Sequence, residues 1–84
     1  MAYVLYIDKH AGKALAKLPK DLAVRIFSKV KDTKQDPLRY WIRLEGRKDY
    51  KLRIGDYRVI ADIDPEAKTI QVTKIGHRKN IYEL

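Results

Sequence analysis

Three basic side chains share one face of a predicted β-hairpin in the middle of this chain. Gly55-Asp56 separates two runs of alternating residues, which is typical of a two-residue hairpin turn. The predicted opposite pairs are Ile54 with Tyr57, Arg53 with Arg58, Leu52 with Val59, Lys51 with Ile60 and Tyr50 with Ala61. Residues opposite each other point to the same side, and like charges placed there destabilise a strand pair. The grouping of Lys51, Arg53 and Arg58 therefore favours a polyanionic ligand, although an ordinary solvated outer face is the alternative.

The net charge of the chain also favours a polyanionic ligand. The 84 residues include 19 Lys and Arg against 11 Asp and Glu, which gives +8. A chain of this length forms one domain, here 1–84, and buries only about 60–65% of its unfolded surface. A strongly basic small domain is typical of nucleic-acid binding. A membrane surface is the competing partner for such charge, but no helix is basic on one face and broadly apolar on the other.

Several kinds of site are excluded by residue types and spacing. Without cysteine there is no disulfide, thiolate nucleophile or zinc–sulfur site. His10 and His77 lie far apart in sequence, and neither belongs to a ligand-spaced pair. Asp62 and Asp64 are the closest acidic pair, but Asp64-Pro65-Glu66 is better explained as a turn, and the only serine, Ser28, lies within a predicted helix. We therefore expect no metal and no cofactor. No membrane-length apolar run and no signal peptide are visible, so a cytoplasmic protein is expected.

The N-terminal half predicts a strand and a helical hairpin. Five β-prone residues form the strand 3–7, and Asp8 then suits the N-cap of a first helix. Pro19 ends that helix and opens a second one over 20–34. The apolar stripe of the second helix comprises Leu22, Ile26, Phe27 and Val30.

The C-terminal half predicts four strands. A linker over 35–41 leads to a short strand at 42–44, the hairpin follows, and a last strand covers 69–75. The apolar phase of that last strand reverses at Lys74 and Ile75, which indicates a bulge or strand end just before Gly76. The expected fold class is α+β, in which an N-terminal strand and a helical hairpin pack on a twisted, mainly antiparallel sheet.

The chain resembles the RelE/ParE superfamily of toxins. The resemblance rests on the segments 13–19, 44–46 and 50–60, then on Ile75-Gly76-His77-Arg78 with Tyr82, in order over nearly the whole chain. It is nearest the RelE branch, whose members cut messenger RNA in the ribosomal decoding site and are neutralised by an antitoxin. The ParE branch shares the fold, poisons DNA gyrase and generally lacks the full set of basic residues with a C-terminal Tyr.

The resemblance implies catalytic roles for five residues, namely Lys51, Arg53, Arg58, Arg78 and Tyr82. The implied reaction uses no metal: the ribose 2′-hydroxyl attacks the adjacent phosphorus, and Arg58 and Arg78 stabilise the charge that develops. Arg53 stands where the best-known RelE pattern has a second Lys, and guanidinium does not lose its proton, which leaves phosphate binding. The interval from Arg78 to Tyr82 is also shorter than in some relatives.

Two residues are candidates for the general base. Lys51 is one, because cationic neighbours favour the neutral amine of a lysine, and the imidazole of His77 is the other. His77 also has the simpler interpretation of an exposed turn residue, and Tyr82 that of a side chain packed over the sheet edge. Further RNA-binding roles are expected for Arg47, Lys48, Lys74 and Lys79.

Tyr40 and Trp41 leave two interpretations open. The two rings are adjacent and suit base stacking. A lone Trp at such a junction more often closes a small core.

The expected function is therefore that of a ribosome-dependent mRNA endoribonuclease that inhibits translation as the toxin of a type II toxin–antitoxin system. A non-enzymatic gyrase inhibitor like ParE and a basic RNA-binding module without cleavage activity are the alternatives. The expected partners are the ribosome, mRNA and a RelB-like antitoxin. The antitoxin is expected to cover Val4, Tyr6, Ile60 and Ile75, which lie outside or near the edge of the predicted core, and to be acidic near Lys51 and Arg58.

Overall fold

The computed structural model describes residues 2–80 and shows one five-stranded sheet with its helices on one face. The strands are β1 (Val4–Ile7), β2 (Ile42–Arg43), β3 (Tyr50–Ile54), β4 (Tyr57–Asp64) and β5 (Thr69–His77), and the helices are α1 (Lys9–Ala16), α2 (Lys20–Asp32) and α3 (Pro37–Tyr40). The order across the sheet is β1-β5-β4-β3-β2, in which β1 runs parallel to β5 and the other pairs are antiparallel. The predicted α+β fold class is confirmed.

The helical hairpin begins and turns where the sequence predicts. Asp8 caps α1, and its Oδ1 accepts a hydrogen bond from the Ala11 amide at 2.8 Å. Pro19 is the N-cap residue of α2, and its carbonyl accepts the Ala23 amide at 2.9 Å. Ile26 and Val30 of α2 are buried against the sheet, which places both helices over the same face.

The register of the central hairpin matches the prediction pair for pair. Ile54 lies opposite Tyr57, and Arg53 lies opposite Arg58. Gly55 has φ of 58°, a left-handed conformation that favours glycine and suits a primed two-residue turn. The hairpin therefore presents an apolar face to the helices and a basic face away from them.

The predicted bulge lies at Thr73, three residues before Gly76, and β5 continues past it to His77. The register of β4 against β5 shifts between Ile60 and Ala61, which face Lys74 and Val72 respectively. The extra residue restores the apolar phase, so Ile75 lies opposite Val59 and is 5% exposed. Strand β5 thus contributes apolar side chains to the core on both sides of the bulge.

A small buried network joins the end of α2 to the start of β2. The Trp41 indole Nε1 donates a hydrogen bond of 2.9 Å to the Thr33 hydroxyl, which in turn donates one of 2.7 Å to the Val30 carbonyl. Trp41 is 3% exposed and belongs to the core. Of the two interpretations of Trp41, the structure confirms the core one.

Several boundaries and burial predictions were wrong. Helix α2 ends at Asp32 and not at residue 34, and a 3-10 helix follows at Thr33–Gln35. The expected linker over 35–41 contains α3, because a segment this short carries too little periodicity to predict a helix. Phe27, predicted in the core stripe, is 41% exposed. Ile60 and Ile75, expected to lie uncovered, are 1% and 5% exposed. Within residues 2–80, no helix is long and apolar enough to span a membrane.

Candidate active site

The basic residues of the hairpin lie on the face of the sheet opposite the helices. We call the set Lys51, Arg53, Arg58 and Lys74 the cationic face. Its members come from three adjacent strands: Arg53 is opposite Arg58, while Lys51 and Lys74 flank Ile60 on either side. Lys51, Arg58 and Lys74 are half-buried, whereas Arg53 at the strand edge is exposed. The strand register alone fixes this cluster, so it does not depend on flexible loops.

The Arg58 guanidinium is held at the tip of the hairpin. Its Nη1 donates hydrogen bonds of 3.0 Å to the carbonyls of Gly55 and Tyr57. A guanidinium carries five N–H donors, and within residues 2–80 both bonds use the same nitrogen. Nε and Nη2 are therefore available to an anion, and the turn restrains the side chain before the anion binds.

Arg78 lies at the same end of the sheet as Arg58. Its backbone amide donates to the Asp56 carbonyl at 2.8 Å, and its Nε lies 3.9 Å from Asp56 Oδ1. Both side chains of this ion pair are more than half exposed, so its contribution to the free energy of unfolding is small. Its effect is positional, since it ties the segment after β5 to the hairpin turn beside Arg58.

His77 lies on the other face of the sheet. Gly76 is the residue opposite Arg58, so the next residue along β5 points to the helix side. There the His77 ring packs edge-to-face on Tyr57, with centroids 5.4 Å apart, and its Nδ1 accepts the Lys79 amide at 3.2 Å. The bulge at Thr73 sets this phase. Of the two candidate bases, Lys51 shares a face with Arg58 and His77 does not.

The remaining predicted residues are divided between the two ends of the hairpin. Lys79 follows Arg78 at the turn end, and Lys74 belongs to the cationic face. Arg47 and Lys48 lie in the loop between β2 and β3, at the far end from Gly55-Asp56, where Arg47 pairs with Asp49 at 2.6 Å. Tyr82 lies outside the described residues. The structure thus places Lys51, Arg53 and Arg58 on one face and Arg78 beside the turn that holds Arg58, and it separates Arg47 and Lys48 from Arg58 and Arg78.

The helix-free face changes character across its width, which sequence reasoning missed. Away from the hairpin turn, the same face carries Asp62 and Gln71 in one row and exposes Val4 and Tyr6 on the edge strand β1. The parallel pairing of β1 with β5 creates this corner, and local alternation gives no signal for a pairing so distant in sequence. The positive charge of this face therefore lies on the side of the hairpin and away from β1.

This arrangement can bind a phosphodiester from two sides. Arg58 and Arg78 supply planar donor groups that suit phosphate oxygens, and Lys51 supplies an amine on the same face as Arg58. No group of three or more metal-ligating side chains occurs within the part of the chain that the structure describes.

Comparison with known proteins identifies the family. The model of the ParE toxin of type II toxin–antitoxin systems (parDE) matches residues 5–82. The chain belongs to the RelE/ParE superfamily of type II toxins. Toxin RelG of Mycobacterium tuberculosis is 32% identical over 98% of both chains. The predicted family resemblance is confirmed.

Solved structures place this superfamily member near the RelE branch. The toxin–antitoxin complex RelBE2 of M. tuberculosis matches with a TM-score of 0.81 and 27% identity, over 93% of this chain and 100% of that chain. The archaeal RelE–RelB complex of Pyrococcus horikoshii matches with a TM-score of 0.78 and 33% identity, over 93% of this chain and 97% of that chain. Both likenesses extend over almost the whole fold.

Proposed function

We propose that this toxin is a ribosome-dependent mRNA endoribonuclease that inhibits translation. The observation that carries the proposal is the grouping of Lys51, Arg53 and Arg58 on one face of the sheet, together with Arg78, which is hydrogen-bonded to the turn that also holds Arg58. Membership of the superfamily and the likeness to RelE structures support the same activity. The alternative, in which the cationic face only contacts solvent, does not explain why two arginine residues are hydrogen-bonded to the same turn.

The proposed reaction transfers the phosphoryl group within the RNA strand. The 2′-oxygen bonds to the adjacent phosphorus, the bond to the 5′-oxygen breaks, and a 2′,3′-cyclic phosphate and a 5′-hydroxyl remain. Lys51 takes the 2′ proton as the general base, and water protonates the departing oxygen. Negative charge grows on the non-bridging oxygens in the transition state, where Arg58 and Arg78 stabilise it.

The other predicted residues have binding roles in this proposal. Arg53 holds a phosphate, because a guanidinium does not act as a base. Tyr82 orients or stacks on a base. The ribosome aligns the 2′-oxygen with the phosphorus, and such positioning can supply a large share of the barrier reduction. This explains how a chain with few catalytic groups can cut only RNA that the ribosome holds.

Mapping RNA ends after induction of the toxin tests the proposal. New 5′-hydroxyl ends within translated codons, absent when translation initiation is blocked, are the expected result. Intact mRNA under growth arrest would contradict it.

A second function is favoured by one observation, the match to the ParE toxin model. In that case the toxin inhibits DNA gyrase and does not cut RNA. A supercoiling assay with purified gyrase, a relaxed plasmid and the toxin distinguishes the two functions. Lost supercoiling together with intact mRNA would establish this second function in place of the first.

We also propose a cognate RelB-like antitoxin as a partner. Two of the solved relatives are toxin–antitoxin complexes. In this chain Val4 and Tyr6 are 51% and 53% exposed on β1, which among residues 2–80 is paired on one side only. A segment that folds against them and extends acidic side chains toward Lys51 would cover both surfaces. Co-expression with the neighbouring reading frame should yield a stable complex that blocks cleavage.

A further inference from the structure

A second basic cleft opens where α2 approaches the edge of β3. Its volume is about 450 Å³, within the range of small-ligand pockets. The residues that matter for its chemistry are Arg25, Lys29 and Asp32 of α2, Tyr40 of α3, and Arg53 and Gly55 of the hairpin. Arg53 also belongs to the cationic face, so the cleft is continuous with the candidate active site around the edge of the sheet.

The cations of the cleft are not balanced by ion pairs. Arg25 and Lys29 are four residues apart on α2 and therefore point to the same side of the helix, an unfavourable arrangement for like charges. Among residues 2–80, neither side chain has an acidic partner within 4.0 Å, and Asp32 has no basic one. Three cations against one carboxylate leave the cleft with a positive potential.

The wall formed by β3 is an open sheet edge. Strand β2 pairs only with Tyr50 and Lys51, so among the described residues no strand pairs with the outer edge of β3 beyond Lys51. An open edge presents backbone N–H and C=O groups to a ligand. The opposite wall offers the Tyr40 ring, which is 49% exposed.

We propose that this cleft binds a phosphodiester of the RNA strand adjacent to the one that is cut. Arg25 and Lys29 contact the phosphate, Arg53 continues the contact to the cationic face, and Tyr40 stacks on a base. The inference rests on the proposed function for the identity of the RNA, but not for the binding chemistry. The cleft would be a second binding site for the RNA strand, remote from the reacting atoms.

RNA fits the cleft better than an acidic protein segment does. A peptide strand added to the β3 edge would use the open backbone groups and the positive charge, and would have no particular use for an exposed aromatic ring. Single-stranded nucleic acid uses both features, since phosphates seek basic grooves and bases stack on aromatic side chains. Because the cleft is continuous with the cationic face, a single RNA strand can contact both.

The test uses a short 2′-O-methyl oligoribonucleotide, which has no free 2′-hydroxyl and is not cut by this chemistry. Its binding to the purified toxin is measured by fluorescence anisotropy at several salt concentrations. The variant Arg25→Ala with Lys29→Ala removes two charges from the cleft. The matched control, Lys20→Ala with Lys31→Ala, removes two charges from exposed positions of the same helix that do not line the cleft.

The cleft variant should weaken binding about tenfold and reduce the slope of log K against log salt by about 0.7, the value for one neutralised phosphate on a single strand. The control should change binding less than twofold. Tyr40→Leu should weaken binding without altering the salt slope, because it removes stacking and no charge. Equal losses in the two double variants would overturn the proposal, since net charge alone would then explain binding.

A glutamate-rich peptide provides the competing outcome. If Arg25→Ala with Lys29→Ala abolishes binding of this peptide and leaves oligonucleotide binding unchanged, the cleft serves a protein partner and the proposal is wrong.

Cleavage on programmed ribosomes is measured separately. The cleft variant should raise the half-saturating toxin concentration and leave the saturating rate unchanged. Oligonucleotide binding that depends on the cleft, in a toxin that cuts no RNA, would refute the proposed function and retain the cleft.

Discussion

At the residue scale, the opposite pairing of Arg53 with Arg58 is an unfavourable feature that the fold retains. Like charges directly across an antiparallel pair cost stability, yet the register places these two guanidinium groups on one face with Lys51 nearby. In the proposed function, binding of a phosphodiester offsets that repulsion. The proposed roles of the three side chains nevertheless differ, because an amine can accept a proton and a guanidinium cannot.

Exchanging the two kinds of basic group separates these roles. Lys51→Arg keeps the charge and removes the base, so the single-turnover cleavage rate should fall by about a hundredfold or more, within the usual contribution of general-base catalysis. Arg53→Lys keeps a cation for phosphate and should lower the rate less than about tenfold. If the two exchanges have equal effects, Lys51 is not the base.

A buried hydroxyl gives a prediction about stability at the same scale. Thr33→Val removes the acceptor of the Trp41 indole and a donor to the Val30 carbonyl in nearly the same volume. A buried N–H left without a partner costs about 1–3 kcal/mol, so the free energy of unfolding should fall by that amount in urea denaturation. Ser28→Ala, at an exposed position of α2, is the control and should change it by less than about 0.5 kcal/mol. A Thr33→Val protein as stable as the control would show that the network adds nothing.

At the element scale, the two-residue turn positions the candidate site. The Gly55 carbonyl accepts from Arg58, and Asp56 accepts the Arg78 amide and pairs with its guanidinium. Alternation of residue types and the Gly-Asp pair were sufficient to predict the register of this hairpin, because a slip of one residue would expose every apolar side chain of the strand. The apolar phase of the last strand predicted a bulge or a strand end just before Gly76, and the structure has the bulge at Thr73.

Features that depend on distant contacts were not predictable from local patterns. The direction of His77 depends on the location of the bulge at Thr73, and the burial of Ile60 depends on two neighbouring strands. The phase of α2 predicted Leu22, Ile26 and Val30 correctly, while Phe27 lies at the margin of the apolar stripe and is exposed. The cleft beside β3 combines α2, α3 and a strand edge, a combination that no sequence spacing reveals.

Gly55→Ala tests the turn directly. A Cβ at this position would lie 3.8 Å from Arg25 Nη2, an ordinary contact, so the strain comes from φ of 58° alone. The free energy of unfolding should fall by about 1 kcal/mol. Cleavage should slow as well, because Arg58 and Arg78 both depend on the turn. Gly55→Asn should be milder, since Asn adopts this conformation more readily. Thermal melts and cleavage rates that are equal for Ala and Asn would contradict this account of the turn.

At the scale of the whole molecule, a charge of +8 is distributed unevenly over a small sheet. On the helix-free face the basic groups lie on the side of the hairpin, while the β1 side of the same face carries Asp62, Val4 and Tyr6. Affinity for the ribosome should therefore be shared among many cations and should fall steeply with salt. The rate of RNA cleavage, in contrast, should depend on only a few of these cations.

Single-turnover cleavage on programmed ribosomes at saturating toxin tests that division most directly. Arg58→Ala and Arg78→Ala should each slow cleavage by about ten- to a thousandfold, as expected for groups that contact charge present only in the transition state. Ribosome affinity should change little. Arg43→Ala, which removes an exposed arginine at the far end of the hairpin, is the matched control and should cut at the wild-type rate. Full cleavage rates in both Arg58→Ala and Arg78→Ala, with thermal melts unchanged, would show that this face is not the active site.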